Sequence, residues 1–345
     1  MRLQEPHRTV TPVFTILAGT AHPELAAAVA RELVTPLGKC QVERFPDGEL
    51  SVRLEETVRG RDVFVIQPTS PPVNDHLVEL LAFADACRRD SAARIAAVMP
   101  YFGYARSDRR NRRREPITAS MVAALLQCAG IERVLTIDLH TPQVEGFFHI
   151  PVDSLSAVPA LCDALRDRVP LDDVVVVSPD AGRVSMATDY ADRLGRPLIV
   201  LHKRRLDGAE TKVMDRVGDV RGRTCLIVDD IIATGGTLVE SAAALREAGA
   251  RPELFVAATH GLLLGNATDD LLRVGVRELF VTDSVPPRRP LNPAVHLVSV
   301  APLVAAAIRH ELGGESFRDL YEQAQRSRIS RRGRTSSADV SGGAT

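Results

Sequence analysis

The sequence predicts an α/β fold of two tandem units, each with a mainly parallel sheet and flanking helices, from three features. Strand-length apolar runs alternate with helix-length segments over residues 13–137, the pattern of parallel strands joined by helical crossovers. The alternation restarts at Val174 and runs on to Thr282. A length of 345 residues is enough for two ordinary domains with full cores. The boundary is expected within residues 151–159, giving units over 1–155 and 156–300.

In order, residues 13–18 read as a strand and 24–33 as a helix. Short strands at 40–44 and 50–54 flank Phe45, Pro46, Asp47, Gly48 and Glu49, a turn whose Pro and Gly break regular structure and whose aromatic projects between acids. Strands at 62–66, 94–99 and 134–137 enclose helices at 74–89 and 119–129. In the second unit, strands at 174–177, 198–201, 254–258 and 278–282 go with helices at 185–194, 239–248 and near 266–274. Residues 206–218 read as a long loop with Gly and acids. Residues 1–10 are a loose polar lead-in, and 326–345, rich in Arg, Ser and Gly, are expected to be disordered.

The second unit centres on residues 226–238, LIVDDIIATGGTL. An apolar run suited to a buried parallel strand ends in Asp229 and Asp230, then passes through a Gly- and Thr-rich turn into a helix. Backbone N–H groups at such a helix start, unobstructed at Gly235 and Gly236, cradle a phosphate, and Thr234 and Thr237 add hydroxyl donors. The two acids cannot bind phosphate. They accept from sugar hydroxyls or hold a divalent cation, so acids followed by a phosphate cradle fit a ribose 5-phosphate. The plainer alternative is an acidic strand end with an ordinary helix cap.

Composition narrows the classes of function. The apolar and charged fractions, 45% and 25%, are those of a soluble globular protein. A net charge of −1 argues for neither nucleic acid nor a membrane surface as partner. Five cysteines stand singly, at 40, 87, 128, 162 and 225, which fits buried free thiols in a reducing compartment rather than disulfides or a metal knuckle. There is no signal core of proper form and no apolar run near about 20 residues. A cytoplasmic protein is expected.

Charged clusters mark further candidates. Six arginines fall between Arg106 and Arg114, directly after Tyr101, Phe102, Gly103 and Tyr104. Arginine forks bind phosphate and stack on purine rings, so nucleotide phosphates are favoured over RNA and over a merely solvated face, since no second basic stripe accompanies them. His140 and Asp180 both follow strand ends, where open parallel sheets bind ligands; a structural cap is the alternative for His140. Lys203, Arg204 and Arg205 close another strand before the long loop, which reads as a mobile flap over an anion or else a surface turn.

Over residues 12–321 the chain resembles the ribose-phosphate pyrophosphokinase family. The matching stretches, in order, include RFPDGELSVRL, VNDHLVELL, PYFGYARSDRR, LTIDLHTPQVEGFFHIPVDSL, VSPDAG, HKRR, VDDIIATGGT, ATHGL and VTDSVP. The resemblance implies two phosphoribosyltransferase-like domains, with a C-terminal helix at 301–321 returning to the first. It implies transfer of the diphosphate of ATP to the 1-hydroxyl of ribose 5-phosphate, with Mg2+ as cofactor and a homo-oligomer, commonly a hexamer. By position, Phe45, Asp47 and Glu49 correspond to an adenine-binding turn given to a neighbouring subunit, and Arg106 and Arg109 to ATP-binding arginines. His140 and Asp180 correspond to a magnesium-linked pair, Lys203 and Arg205 to the catalytic flap, and Asp229, Asp230, Thr234, Gly235, Gly236 and Thr237 to the ribose-phosphate loop.

The chain departs from the family pattern at three positions. Ala233 stands in place of a third acid, Ser107 in place of Gln, and Arg183 in place of a Gly beside Asp180. Two alternatives therefore stay open: a catalytically weak regulatory partner of an active synthetase, and a phosphoribosyltransferase that consumes phosphoribosyl diphosphate. Against the latter stand the complete aromatic and acidic turn and the duplicated domain. An active diphosphokinase is the favoured reading.

Overall fold

The computed structural model describes residues 14–110, 112–205 and 212–313, with side chains left aside at 203–205 and 212–217. The first sheet is built from β1 (Phe14–Ala18), β4 (Asp62–Ile66), β5 (Arg94–Met99), β6 (Arg133–Ile137) and β7 (Val152–Leu155), in the order β1-β4-β5-β6-β7. Every neighbouring pair is parallel. Such a sheet requires crossovers, supplied here by α1 (Pro23–Glu32), α2 (Val73–Arg89) and α3 (Thr118–Ala129). Pro23 sits at the start of α1, where its missing N–H costs nothing, and His22 Nδ1 accepts from Leu25 N at 3.3 Å. Gly130 ends α3 at φ 105°, a conformation that suits glycine.

Between α1 and β4, β2 (Cys40–Arg44) and β3 (Leu50–Leu54) pair antiparallel as a separate hairpin. Here the sequence pattern of parallel strands does not hold, because the five-residue turn is too short for a crossover. Arg44 fastens the hairpin to α2 through Asp75 at 3.1 Å and the buried Glu79 at 3.6 Å.

The second sheet has seven strands, in the order β10-β9-β8-β11-β12-β13-β14. They are β8 (Val174–Ser178), β9 (Leu198–Arg205), β10 (Lys212–Val217), β11 (Thr224–Ile232), β12 (Leu254–Gly261), β13 (Val276–Thr282) and β14 (Val295–Val298). Only β9 and β10 pair antiparallel. The expectation of a loop over 206–218 is therefore corrected: 212–217 forms a strand, because its backbone pairs with the edge of β9. Residues 206–211, the centre of that expected flap, lie outside the described residues, as does the tail at 326–345. The flanking helices are α4 (Val158–Arg166), α5 (Val184–Leu194), α6 (Gly236–Glu247) and α7 (Ala267–Arg273), and α8 (Ala301–Glu311) follows β14.

One core joins the two sheets. Ile16, Phe64, Val98 and Leu135 of the first sheet share a buried cluster with Val176, Leu226 and Phe280 of the second, through Leu161, Tyr190 and Val304 of intervening helices. α8 returns to the first sheet, where Glu311 pairs with Arg133 of β6 at 2.8 Å and Arg309 donates to the Glu32 carbonyl. The opposite faces are covered separately, by α2 and α3 on one side and α6 and α7 on the other. The expected boundary region holds β7 and the start of α4, which places the carboxyl ends of β6 and β11 close together.

Candidate active site

The carboxyl ends of β6, β8, β11 and β12 converge on a narrow cleft, the place where open parallel sheets hold ligands. It is lined by Tyr101, Phe102, Ala105, Arg106, Asp138, His140, Asp230 and His260, among others. His140 Nδ1 lies 2.7 Å from Asp230 Oδ2. Arg183 reaches in from the turn after β8: Nη1 donates to the His140 carbonyl at 2.7 Å, and Nε stands 3.5 Å from Asp229 Oδ1 and 3.3 Å from Asp230 Oδ1.

The two acids at the end of β11 are buried and electrostatically unlike. Burial and the adjacent Asp230 charge push the Asp229 carboxyl well above the usual carboxylate range. Burial pushes Asp230 the same way, but the His140 hydrogen bond and the Arg183 charge outweigh it and hold Asp230 down to about 2. Oδ1 of Asp230 is buried without a hydrogen bond, an acceptor for which a bound hydroxyl is the natural partner.

After the acids, α6 starts at Gly236, three residues ahead of the sequence expectation, with Gly235 at φ 78° before it. No side chain caps this start, and Thr234, Gly236 and Thr237 are exposed. A Cβ on Gly236 would meet nothing within 4 Å. The free N–H groups and positive dipole end make this a place for an anion. Backbone bonds from Leu263 N to Ile232 O at 3.0 Å and from Leu264 N to Ala233 O at 2.8 Å fix the turn.

The other sequence-selected residues fall into four groups, the last being Asp180 alone. Arg106 lines the cleft, and Arg109 lies on the same exposed loop, which is tied to the His140 loop by Thr141 Oγ1 donating to Asp108 Oδ2 at 2.6 Å. Phe45, Asp47 and Glu49 sit at the hairpin turn, where Asp47 Oδ1 accepts from Glu49 N at 3.0 Å and Phe45 is 41% exposed; none of the three lines the cleft of its own chain. Lys203 and Arg205 lie on β9, and their side chains fall outside the described residues.

Asp180 caps the turn after β8, its Oδ1 accepting from Gly182 N at 2.8 Å. Among the described residues no group of three or more His, Cys, Asp or Glu is arranged to hold a metal ion. The donors present fit instead a magnesium ion completed by substrate, which takes one or two protein ligands and fills the rest from phosphates and water. His140, with the buried Asp230 carboxylate against its Nδ1, stands in the acidic surroundings that suit such an ion.

Sequence reasoning left two participants without a role. Thr259 Oγ1 donates to Asp138 Oδ2 at 2.6 Å, and His260 Nε2 lies 3.1 Å from the Ile137 carbonyl, with its Nδ1 2.8 Å from Ser284 Oγ. They join β12 to the end of β6. The Tyr101 ring stands edge-on to His260, 5.1 Å between centroids. Their only sequence signal is the stretch ATHGL. Asp138 itself is held at φ 39°, a conformation Asp tolerates better than most residues and one that recurs at functional sites.

Comparison with known proteins places the chain in a family. The family described as the N-terminal domain of ribose phosphate pyrophosphokinase matches residues 14–130, and the phosphoribosyl synthetase-associated domain matches 205–322. Ribose-phosphate pyrophosphokinase of Bacillus caldolyticus is 48% identical over 309 residues, covering 89% of this chain and 97% of that protein. The enzyme of the same name from Bradyrhizobium diazoefficiens is 45% identical over the same coverage. The crystal structure of phosphoribosylpyrophosphate synthetase from Mycobacterium smegmatis superposes with a TM-score of 0.81 at 43% identity, covering 86% of this chain and 98% of that one. At this identity and coverage, and with both family models matched, the chain belongs to the ribose-phosphate pyrophosphokinase family.

Proposed function

We propose that this chain is a ribose-phosphate diphosphokinase. The 1-hydroxyl oxygen of ribose 5-phosphate attacks the β-phosphorus of ATP, and the bond from that phosphorus to the α-phosphate oxygen breaks. AMP leaves, the hydroxyl proton passes to solvent, and phosphoribosyl diphosphate forms. One observation carries the reading: a buried acid pair, of which Asp230 lines the cleft, is followed by an exposed, uncapped helix start. Acids suit sugar hydroxyls and helix N–H groups suit the 5-phosphate, so one loop recognises both ends of the sugar.

The other roles follow from placement. Asp229 and Asp230 accept from the ribose hydroxyls, while Thr234, Gly235, Gly236 and Thr237 hold the 5-phosphate. Arg106 and Arg109 take the phosphates of ATP. Lys203 and Arg205, on the strand that carries the edge hairpin, neutralise charge moving between the transferred diphosphate and AMP. His140 and Asp180 are the residues proposed to hold Mg2+, which supplies charge neutralisation at the phosphates when bound. Phe45, Asp47 and Glu49 lie away from their own cleft, which supports an adenine turn serving a second copy in a homo-oligomer, with a hexamer as the proposed assembly. The cysteines are all free, and no described helix is long and apolar enough to cross a membrane; a cytoplasmic site of action is proposed.

The test is the purified chain, free of other subunits, given ATP, ribose 5-phosphate and magnesium. AMP formation that depends on the sugar phosphate supports the reading. Its absence favours a regulatory partner, and ribonucleotide formation from a free base and phosphoribosyl diphosphate favours a transferase.

A further inference from the structure

Arg183 holds the position where the charge of the cleft is concentrated. Its side chain is 12% exposed and its guanidinium faces Asp229 and Asp230, whose side chains are 12% and 3% exposed. Its Nη2 atom lies 3.0 Å from Nδ1 and 3.1 Å from Nε2 of His140. One amino group nearly equidistant from both ring nitrogens lies over the ring rather than along a single lone pair, so it places positive charge directly beside the imidazole. Nη1 donates to the His140 carbonyl at 2.7 Å, which anchors the side chain in this pose. The buried Oδ1 of Asp230, without a hydrogen bond, faces Arg183 Nε at 3.3 Å.

A guanidinium and a divalent cation cannot share this space without strong repulsion, because like charges a few ångströms apart interact strongly where water is excluded. A phosphate group changes the balance, since Arg binds phosphate through two parallel N–H bonds. The turn that carries Arg183 is short and exposed at Ala181 and Gly182, leaving the side chain room to follow a ligand. We propose that Arg183 is an internal, displaceable counter-cation that keeps a divalent cation away from His140 until substrate phosphates draw it aside. Metal then enters with the substrates rather than before them. Arg183 in this role is a positioning residue that sets the order of binding, and the inference rests on the diphosphokinase reading for the nature of those substrates.

The probe is manganese(II) titrated into the substrate-free full-length protein, with free ion read by electron paramagnetic resonance. Arg183→Gly and Arg183→Gln remove the charge, and both are expected to bind manganese about tenfold or more tightly than the parent, the size of effect that loss of one charge contact gives. Arg183→Lys keeps the charge and is expected to stay within a few-fold of the parent. The Gln variant retains the length of the side chain and answers the question if the Gly variant does not fold. Manganese affinity in both charge-removed variants equal to the parent, or weaker, overturns the proposal. AMP formation by the parent, measured separately, keeps the two readings apart. Tighter manganese binding in the variants with no AMP from any protein upholds the competition and sinks the diphosphokinase. AMP formation with unchanged manganese affinity does the reverse.

Discussion

His140 Nδ1 and Asp230 Oδ2 lie 2.7 Å apart although 90 residues separate them in the chain. The contact bridges the end of β6 to the end of β11, so the cleft exists only when the two sheets are seated on their common core. His260 and Thr259 reinforce that seating from β12, through the Ile137 carbonyl and the Asp138 carboxylate. A sugar bound by Asp230 therefore meets groups from both sheets.

Asp230→Asn is expected to raise the Michaelis constant for ribose 5-phosphate about tenfold or more. The amide keeps the shape but loses a charge-assisted acceptor, and hydrogen bonds to charged groups are worth about 1.5–3 kcal/mol. Saturation curves for the sugar phosphate check this, and an unchanged curve removes Asp230 from sugar binding.

Phe45→Ala is expected to weaken ATP and to leave ribose 5-phosphate nearly unaffected. Stacking of a base on an aromatic is worth roughly 1–3 kcal/mol by alanine substitution. Separate titrations of the two substrates read the effect. Equal losses for both would mean that the turn supports the assembly rather than the adenine.

Lys203→Ala and Arg205→Ala are each expected to lower the maximal rate far more than they weaken ATP. Loss of a cation that acts in the transition state costs on the order of 10³-fold in turnover, whereas loss of a ground-state contact raises the Michaelis constant. Steady-state rates at saturating ribose 5-phosphate and magnesium separate the two, and a variant with a normal maximal rate makes this stretch a surface hairpin.

His260 contributes a pH-dependent part of the stability. Burial lowers its pKa from 6.5 and outweighs the nearby Asp138 and Asp230 charges, which act the other way. The unfolded chain takes up a proton below 6.5 that the native ring refuses, so the stability this group contributes is full above that value and drains as pH falls. Between about pH 7.5 and about pH 5.5 the melting temperature of the parent is expected to fall more than that of His260→Gln, because only the parent carries this group with an ordinary pKa near 6.5 when unfolded. Parallel curves for the two proteins would show that His260 does not titrate on unfolding.

Much of this was legible locally. The stretch LIVDDIIATGGTL shows its strand, acids, glycines and helix start within thirteen residues, and the elements expected around it appear with ends shifted by a few positions. Features that depend on distant partners were not. β10 has Gly and acids around it and reads as loop, yet pairs with the edge of β9. β7 and β14 have four residues each, too short for a period to show. Sequence marked Arg183 only as added bulk and charge beside Asp180; its reach to His140, Asp229 and Asp230 depends on how three strand ends are brought together. His260 is a lone histidine whose contact with the Ile137 carbonyl spans 123 residues of chain.

This chain is proposed to move a diphosphate, as one unit, from ATP to the sugar 1-hydroxyl. Phosphorus NMR of ATP, ribose 5-phosphate and magnesium with the purified protein tests it most directly. The β and γ resonances of ATP are expected to be replaced by those of a diphosphate ester on the sugar, in equal amount to the AMP formed. Release of inorganic phosphate with ADP, or an ATP spectrum that stays unchanged, would contradict it.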